Sequence, residues 1–245
     1  MQTIAIINCG RLALAALFAS AILPAHGQGT LVIQHSGATD PATEGFQSLG
    51  PGGGYAILND AGVNAWVTPG ATNQSTYFKY VLTPQQQAAS AGAGWILSAD
   101  IRIATTNSSA DFGLYLDGFN GGYGLNFGSD SNGDQYVEYL GGSAALGGAI
   151  TLPGSDYNNY QVKYDPSVDT VSLWINGAKY VNTFSTNIAT YLVEVGWGGG
   201  VDNGQNPLAN WNLVSLTIPE PSSGAVLLLG SGVLVYVLKR RRFRS

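Results

Sequence analysis

The middle of the chain alternates. From Asp111 to Asp117, the apolar residues Phe112, Leu114 and Leu116 take every second position against Asp111, Gly113, Tyr115 and Asp117. Val171, Leu173 and Ile175 oppose Ser172, Trp174 and Asn176 in the same way. Successive side chains of a strand point to opposite faces, so this period predicts strands with one buried face each. Pattern and turn spacing predict strands over Thr30–Gln34, Trp95–Ile103, Asp111–Asp117, Gly122–Phe127, Gln135–Leu140, Tyr160–Tyr164, Thr170–Asn176 and Trp211–Ile218. Turn sequences stand between them: Asn120-Gly121-Gly122, Asn132-Gly133, Asp165-Pro166 and Asn176-Gly177. One stretch breaks the pattern. Thr83-Pro84-Gln85-Gln86-Gln87-Ala88-Ala89 predicts a short helix, with Thr83 as N-cap and Pro84 in the first helical position. Many short strands divided by turns predict an all-β fold, a sandwich or jelly roll.

The two ends are of another kind. Arg11 precedes an apolar run, Leu12 to Leu23, that closes on Pro24-Ala25-His26-Gly27. A basic start, a short apolar segment and small residues before a cleavage point predict a signal peptide over residues 1–27. At the other end, Ile218-Pro219-Glu220-Pro221-Ser222-Ser223 leads into the apolar stretch Gly224 to Leu238 and then Lys239-Arg240-Arg241-Arg242-Phe243-Arg244-Ser245. Counted from Ser222, the apolar stretch is seventeen residues, the lower end of what spans a bilayer, and predicts a C-terminal transmembrane helix. Basic residues just past a span stay cytoplasmic, so the preceding domain faces outward. The expected organisation is a signal peptide (1–27), an extracellular sandwich (28–218) and an anchoring tail (219–245).

Trimming the ends changes the charge. Residues 28–218 keep four cations, Lys79, Arg102, Lys163 and Lys179, against fourteen Asp and Glu, a net charge of −10. Such a domain repels phosphate backbones, which excludes nucleic acid as a partner. The single cysteine, Cys9, falls in the signal peptide, leaving the mature chain without disulfide, thiolate metal site or cysteine nucleophile. Its one histidine, His35, has no G-x-S-x-G elbow to serve and reads as a surface residue. Glycoside hydrolysis needs two carboxylates flanking one bond. The glutamates, Glu44, Glu138, Glu194 and Glu220, are scattered, with no E-x-D-x-E. A non-enzymatic protein is expected.

Two sets of residues remain as candidates. Asp130, Asn132 and Asp134 place oxygen ligands at alternate positions, as calcium loops do, yet they also sit where a hairpin turn belongs. Tyr115 and Trp174 occupy the polar parity of their strands, which points them away from the inter-sheet core and makes them candidates for stacking on sugars. Trp66, Trp95, Trp197 and Trp211 read as core or rim. Tyr191 to Gly200 reads as a strand running into a flexible, glycine-rich rim.

Pro219-Glu220-Pro221, the apolar span and the basic tail of Lys239, Arg240, Arg241, Arg242 and Arg244 follow one another in the order that characterises the PEP-CTERM sorting signal, which this end closely resembles. The resemblance implies an exosortase as partner and Pro219, Glu220 and Pro221 as its recognition residues. It also implies export, anchoring in the inner membrane before processing, and release to the cell surface or extracellular polymer afterwards. Tyr157 to Tyr180 reads as strand, Asp-Pro turn, strand, Asn-Gly turn and strand. This resembles the central hairpins of concanavalin A-like lectin/glucanase and laminin-G-like domains, and Asn210 to Ile218 looks like their C-terminal strand, which pairs beside the first. The resemblance implies a concanavalin A-like jelly-roll sandwich that binds extracellular polysaccharide. A carbohydrate-active hydrolase and a structural matrix protein without a small ligand stand as alternatives.

Overall fold

The structure is a computed structural model and describes residues 29–49, 56–69, 76–106, 108–116, 123–141, 144–145, 148–185, 192–199 and 208–220. The expected signal peptide (1–27), the Asn120-Gly121-Gly122 turn, Pro221, the apolar stretch expected to span the membrane and the basic tail lie outside the described residues. Among the described residues no helix is long and apolar enough to cross a membrane.

Thr30–Pro219 forms one compact unit. Its strands in chain order are β1 (Thr30–Ser36), β2 (Gln47–Leu49), β3 (Ala56–Asp60), β4 (Val63–Pro69), β5 (Thr76–Val81), β6 (Trp95–Ile103), β7 (Ser108–Leu116), β8 (Tyr123–Ser129), β9 (Gln135–Gly141), β10 (Ala144–Ala145), β11 (Ile150–Leu152), β12 (Asn158–Asp165), β13 (Thr170–Ile175), β14 (Ala178–Ser185), β15 (Glu194–Gly199) and β16 (Leu208–Ile218). They make two antiparallel sheets. Sheet A has the order β14-β13-β12-β6-β16-β4-β3, with β1 also on β16; sheet B has the order β10-β9-β8-β7-β15-β5-β2, with β11 also on β9. The closing strand β16 pairs with β1, Thr30 opposite Ile218, as the resemblance implied. Among the described residues one α-helix, α1 (Pro84–Ala93), connects β5 to β6. Its start is a capping box: Gln86 N–H donates to Thr83 Oγ1 at 3.3 Å and Thr83 N–H to Gln86 Oε1 at 2.8 Å.

The inner faces of the two sheets make the core. Trp197 of sheet B meets Trp211 of sheet A at 5.0 Å, Phe127 meets Tyr160 at 4.7 Å and Phe78 meets Trp66 at 6.3 Å. Trp66, Trp95, Trp197 and Trp211 are all buried. The Trp211 indole N–H donates to Thr68 Oγ1 at 2.8 Å, which satisfies it inside the core.

His35 departs from its reading as a surface residue. It is fully buried, stacked on Trp197 at 4.6 Å and edge-on to Trp66. On β1 it shares the inward parity of Ile33. A bulge between Leu31 and Ile33 sets that parity and leaves Leu31 exposed. The imidazole Nδ1 lies 2.6 Å from Glu44 Oε2 in the short 3-10 turn Pro41–Glu44, which folds back under the strand.

Candidate functional site

The outer face of sheet B is built from glycines and tyrosines. Two rows cross it in register: Glu138, Asn126, Gly113, Gly198 and Tyr77, then Gly124, Tyr115, Gly196 and Lys79. Alternate residues of the same strands (Leu114, Leu116, Leu125, Val137, Val195, Phe78) are buried in the core, so the rows face outward. Tyr115 lies along this face. A Cβ on Gly113 would clash with its Cζ, and one on Gly124 would stand 3.1 Å from its Cδ1. Only glycine at 113 lets the ring settle against the backbone. Tyr136 does the same over Gly128 on β8. Tyr77 meets Tyr115 edge to face at 5.8 Å, and the Tyr115 hydroxyl makes a long bond to Asn126 Oδ1, 3.5 Å. Tyr77, Tyr115 and Tyr136 stay half-exposed. The face therefore offers flat rings backed by rigid sheet, with the amide of Asn126 and the carboxylate of Glu138 alongside. Lys79 and Glu194 form an ion pair at 3.4 Å on the same face.

Trp174 is on the other side of the molecule. It belongs to β13 of sheet A, between Gln161 and Lys179 in register, while Val171, Leu173 and Ile175 beside it are buried. Tyr115 and Trp174, both placed outward by parity, thus lie on the outer faces of different sheets, and the two rings do not share one ligand. Nor is Trp174 a bare platform. Its indole N–H donates to Ser172 Oγ at 2.9 Å, and the Lys163 ammonium stands 4.3 Å from its ring centroid.

At the other end of sheet A is a polar cluster that sequence reasoning did not find. The Asp60 carboxylate accepts from Arg102 Nη1, from the Tyr157 hydroxyl at 3.0 Å and from Asn210 Nδ2 at 2.6 Å, and Arg102 Nε donates to the Ser155 carbonyl at 2.6 Å. Burial opposes ionisation of Asp60, but the hydrogen bonds from Asn210, Arg102 and Tyr157 outweigh it and hold its pKa below the ordinary value. Burial and the facing carboxylate push Tyr157 up. Four segments far apart in sequence supply these groups, so no local motif announced them.

Asp130, Asn132 and Asp134 sit in the β8–β9 turn, and their side chains bind the chain itself. Asp130 Oδ1 accepts from the backbone N–H of Asn132 at 2.8 Å and of Asp134 at 2.9 Å, and Asp130 Oδ2 accepts from Asn132 Nδ2 at 3.3 Å. Asp134 Oδ1 accepts from Gly154 N–H at 2.7 Å. Among the described residues no group of three His, Cys, Asp or Glu is placed to hold a metal.

Among the described residues the glutamates and His35 are dispersed as well. Glu44 is committed to His35, to Ser36 N–H at 2.9 Å and to the Thr39 hydroxyl. Glu194 pairs with Lys79, and Glu138 stands on β9, three strands from β15. At roughly 4.8 Å per strand that is about 14 Å, beyond the reach of a carboxylate pair on one glycosidic bond. His35 has its orienting carboxylate, but among the described residues its buried Nε2 has no partner, where a hydrolase triad would present a nucleophile. Burial is the largest influence on this imidazole and lowers its pKa, against the opposing pull of Glu44.

Beyond β16 the described chain ends on Pro219, half-buried, and Glu220, exposed. Residues 217–242 match the PEP-CTERM protein-sorting motif. The chain carries that sorting signal. The match takes in Pro219, Glu220 and Pro221 and the tail residues Lys239, Arg240, Arg241 and Arg242, and stops short of Arg244. The PEP-CTERM motif marks an exported protein processed at its C-terminal tail by an exosortase. No curated protein matches the chain. Solved structures do. A carbohydrate esterase of the Shiga toxin-encoding bacteriophage phi24B is similar with a TM-score of 0.58 at 12% identity, over 78% of this chain and 100% of that one. A protein of unknown function from Shewanella oneidensis MR-1 has a TM-score of 0.50 at 13% identity, over 89% and 97%. Botulinum neurotoxin type C, whose cell entry depends on interaction with two ganglioside molecules, has a TM-score of 0.53 at 11% identity, over 83% of this chain and 51% of that one. At these identities the likeness is one of fold, an all-β sandwich.

Proposed function

We propose that this exosortase-sorted chain is a non-catalytic, polysaccharide-binding protein of the cell surface or extracellular polymer. In this reading its concanavalin A-like sandwich binds sugar on the outer face of sheet B. The observation that carries the reading is Tyr115 packed over Gly113 and Gly124, with Tyr77 and Tyr136 on the same face. A ring held against a rigid sheet loses little freedom when a sugar stacks on it, and neighbouring amide and carboxylate groups can orient the hydroxyls. The phage carbohydrate esterase and the ganglioside-dependent toxin support a carbohydrate ligand on this type of sandwich. The dispersed glutamates and the sealed His35 Nε2 support binding without cleavage.

The full chain on a glycan array, with and without calcium, tests the reading. Retention of neutral polysaccharide with no release of reducing sugar is expected. Release of reducing sugar by the wild-type chain would overturn the non-catalytic assignment. Sorting has its own test: Glu220→Ala should leave the protein in the membrane fraction, and normal release of that variant would remove Glu220 from exosortase recognition.

A further inference from the structure

Residues 28–218 hold four cations, and two of them are neutralised at home: Lys79 by Glu194 and Arg102 by Asp60. Among the described residues neither Lys163 nor Lys179 has a carboxylate within ion-pair distance, although the same stretch carries fourteen acids. Both ammonium groups instead approach one ring, Lys163 Nζ at 4.3 Å and Lys179 Nζ at 5.8 Å from the Trp174 centroid. Sheet register produces this. Lys179 on β14 lies opposite Trp174, Lys163 on β12 lies opposite Ser172, and the indole is held along its strand by its bond to Ser172 Oγ. Gln161 lies opposite Trp174 on the other side. Partial burial already holds the Lys163 pKa below its ordinary value, as expected of a cation lacking a counter-ion.

We propose that Lys163 and Lys179, set about Trp174 on the outer face of sheet A, bind a carboxylate-bearing sugar unit, a uronate within an acidic polysaccharide. The two ammonium groups supply the charge that the rest of the domain lacks, the indole supplies an apolar wall, and the Gln161 amide stands where a sugar hydroxyl would need a partner. The domain's net charge of −10 repels a polyanion at a distance. At about 0.15 M salt, however, charges more than about 8 Å apart are largely screened, so the local pair decides. Tyr115 is on the opposite sheet, so this subsite is independent of the stacking face, and a sandwich carrying both would bridge two chains of polymer.

Residue-level lysine acetylation, read by mass spectrometry on the full chain in a neutral detergent, tests the proposal. Trigalacturonate should slow acetylation of Lys163 and Lys179 together, leave Lys79 unchanged, and lose its effect when its carboxyls are methyl-esterified. Lys163→Gln combined with Lys179→Gln should keep the wild-type melting temperature and weaken trigalacturonate binding about tenfold in calorimetry, as expected when charge-assisted hydrogen bonds are removed. The Tyr115→Ala chain should keep the protection, which separates this subsite from the stacking face. Equal protection by acetate at the same carboxylate concentration would show a simple anion site and overturn the sugar assignment. Equal acetylation with and without trigalacturonate would overturn the site.

Discussion

The two outer faces of the sandwich solve the same problem in opposite ways. On sheet B glycines recur at the outward positions, and tyrosines fold down onto the bare backbone they leave. On sheet A they carry long polar chains tied together by charge, the Asp60–Arg102–Tyr157–Asn210 network at one end and the Lys163–Trp174–Lys179 group at the other. Parity along a strand told which residues point outward but not what they meet there. Flat rings suit uncharged sugar faces, whereas the paired ammonium groups suit carboxylates. The difference also separates stability from binding, because the bonds of sheet A hold four segments together while the tyrosines of sheet B cover glycine.

The contrast breaks most easily at Asp60. Asp60→Ala leaves the Arg102 guanidinium, the Tyr157 hydroxyl and the Asn210 amide without their acceptor and should cost about 2–3 kcal/mol in urea unfolding. Lys79→Ala, which removes the more exposed pair with Glu194 on sheet B, should stay within about 0.5 kcal/mol. Equal losses would erase the distinction between the faces. Next in size, Gly113→Val drives a side chain into the Tyr115 ring and should cost about 1–3 kcal/mol, with loss of the near-ultraviolet signal of an ordered tyrosine. A neutral outcome there would mean that Tyr115 does not lie on the sheet.

A smaller effect reaches sheet B from below, through acid. His35 stacks under β15, and its folded-state pKa is depressed beneath the ordinary 6.5. Between those two values the unfolded chain binds the extra proton, so stability is complete above about pH 6.5 and falls as the pH is lowered toward 5. Glu44, also depressed, adds to the loss below about pH 4.5. A melting curve followed from pH 7.5 to 5 should decline, and His35→Phe should flatten it. A melting temperature that rises on acidification would contradict the sign. The smallest effect is expected at the β8–β9 turn. Asp130 and Asp134 already bond to the chain, so the melt should be unchanged from chelator to about millimolar calcium. A calcium-dependent rise would turn the turn into a site.

The sequence made some of this visible and hid the rest for physical reasons. β6, β12, β13 and β16 declared themselves because each buries one clean face, and α1 because its capping box is local. The short strands β2, β3, β5 and β11 lack enough alternation to register. The glycines of β15 make its sequence read as a strand running into a flexible rim. Their purpose lies across the sheet, where Gly196 faces Tyr115 and Gly198 faces Tyr77, and no local window contains that pairing. Tyr115 was legible from parity, but its bed was not, although Gly113 two residues before it on the same face was the available signal. His35 shared the parity of Ile33 and could have been placed inside. What stood against it was the expectation that a histidine without a nucleophile is exposed, and Glu44, nine residues on, supplies the partner that makes burial tolerable.

The central claim is that sheet B, through Tyr115, holds neutral polysaccharide while sheet A does not. Affinity electrophoresis of the full chain through a panel of neutral polysaccharides, run for Tyr115→Ala and Trp174→Ala side by side, tests it directly. Removing one stacking ring should weaken retention about tenfold or more for Tyr115→Ala, while Trp174→Ala migrates with the wild type and both variants stay folded. Retention kept by Tyr115→Ala and lost by Trp174→Ala would put the neutral-sugar site on the wrong sheet and contradict the account.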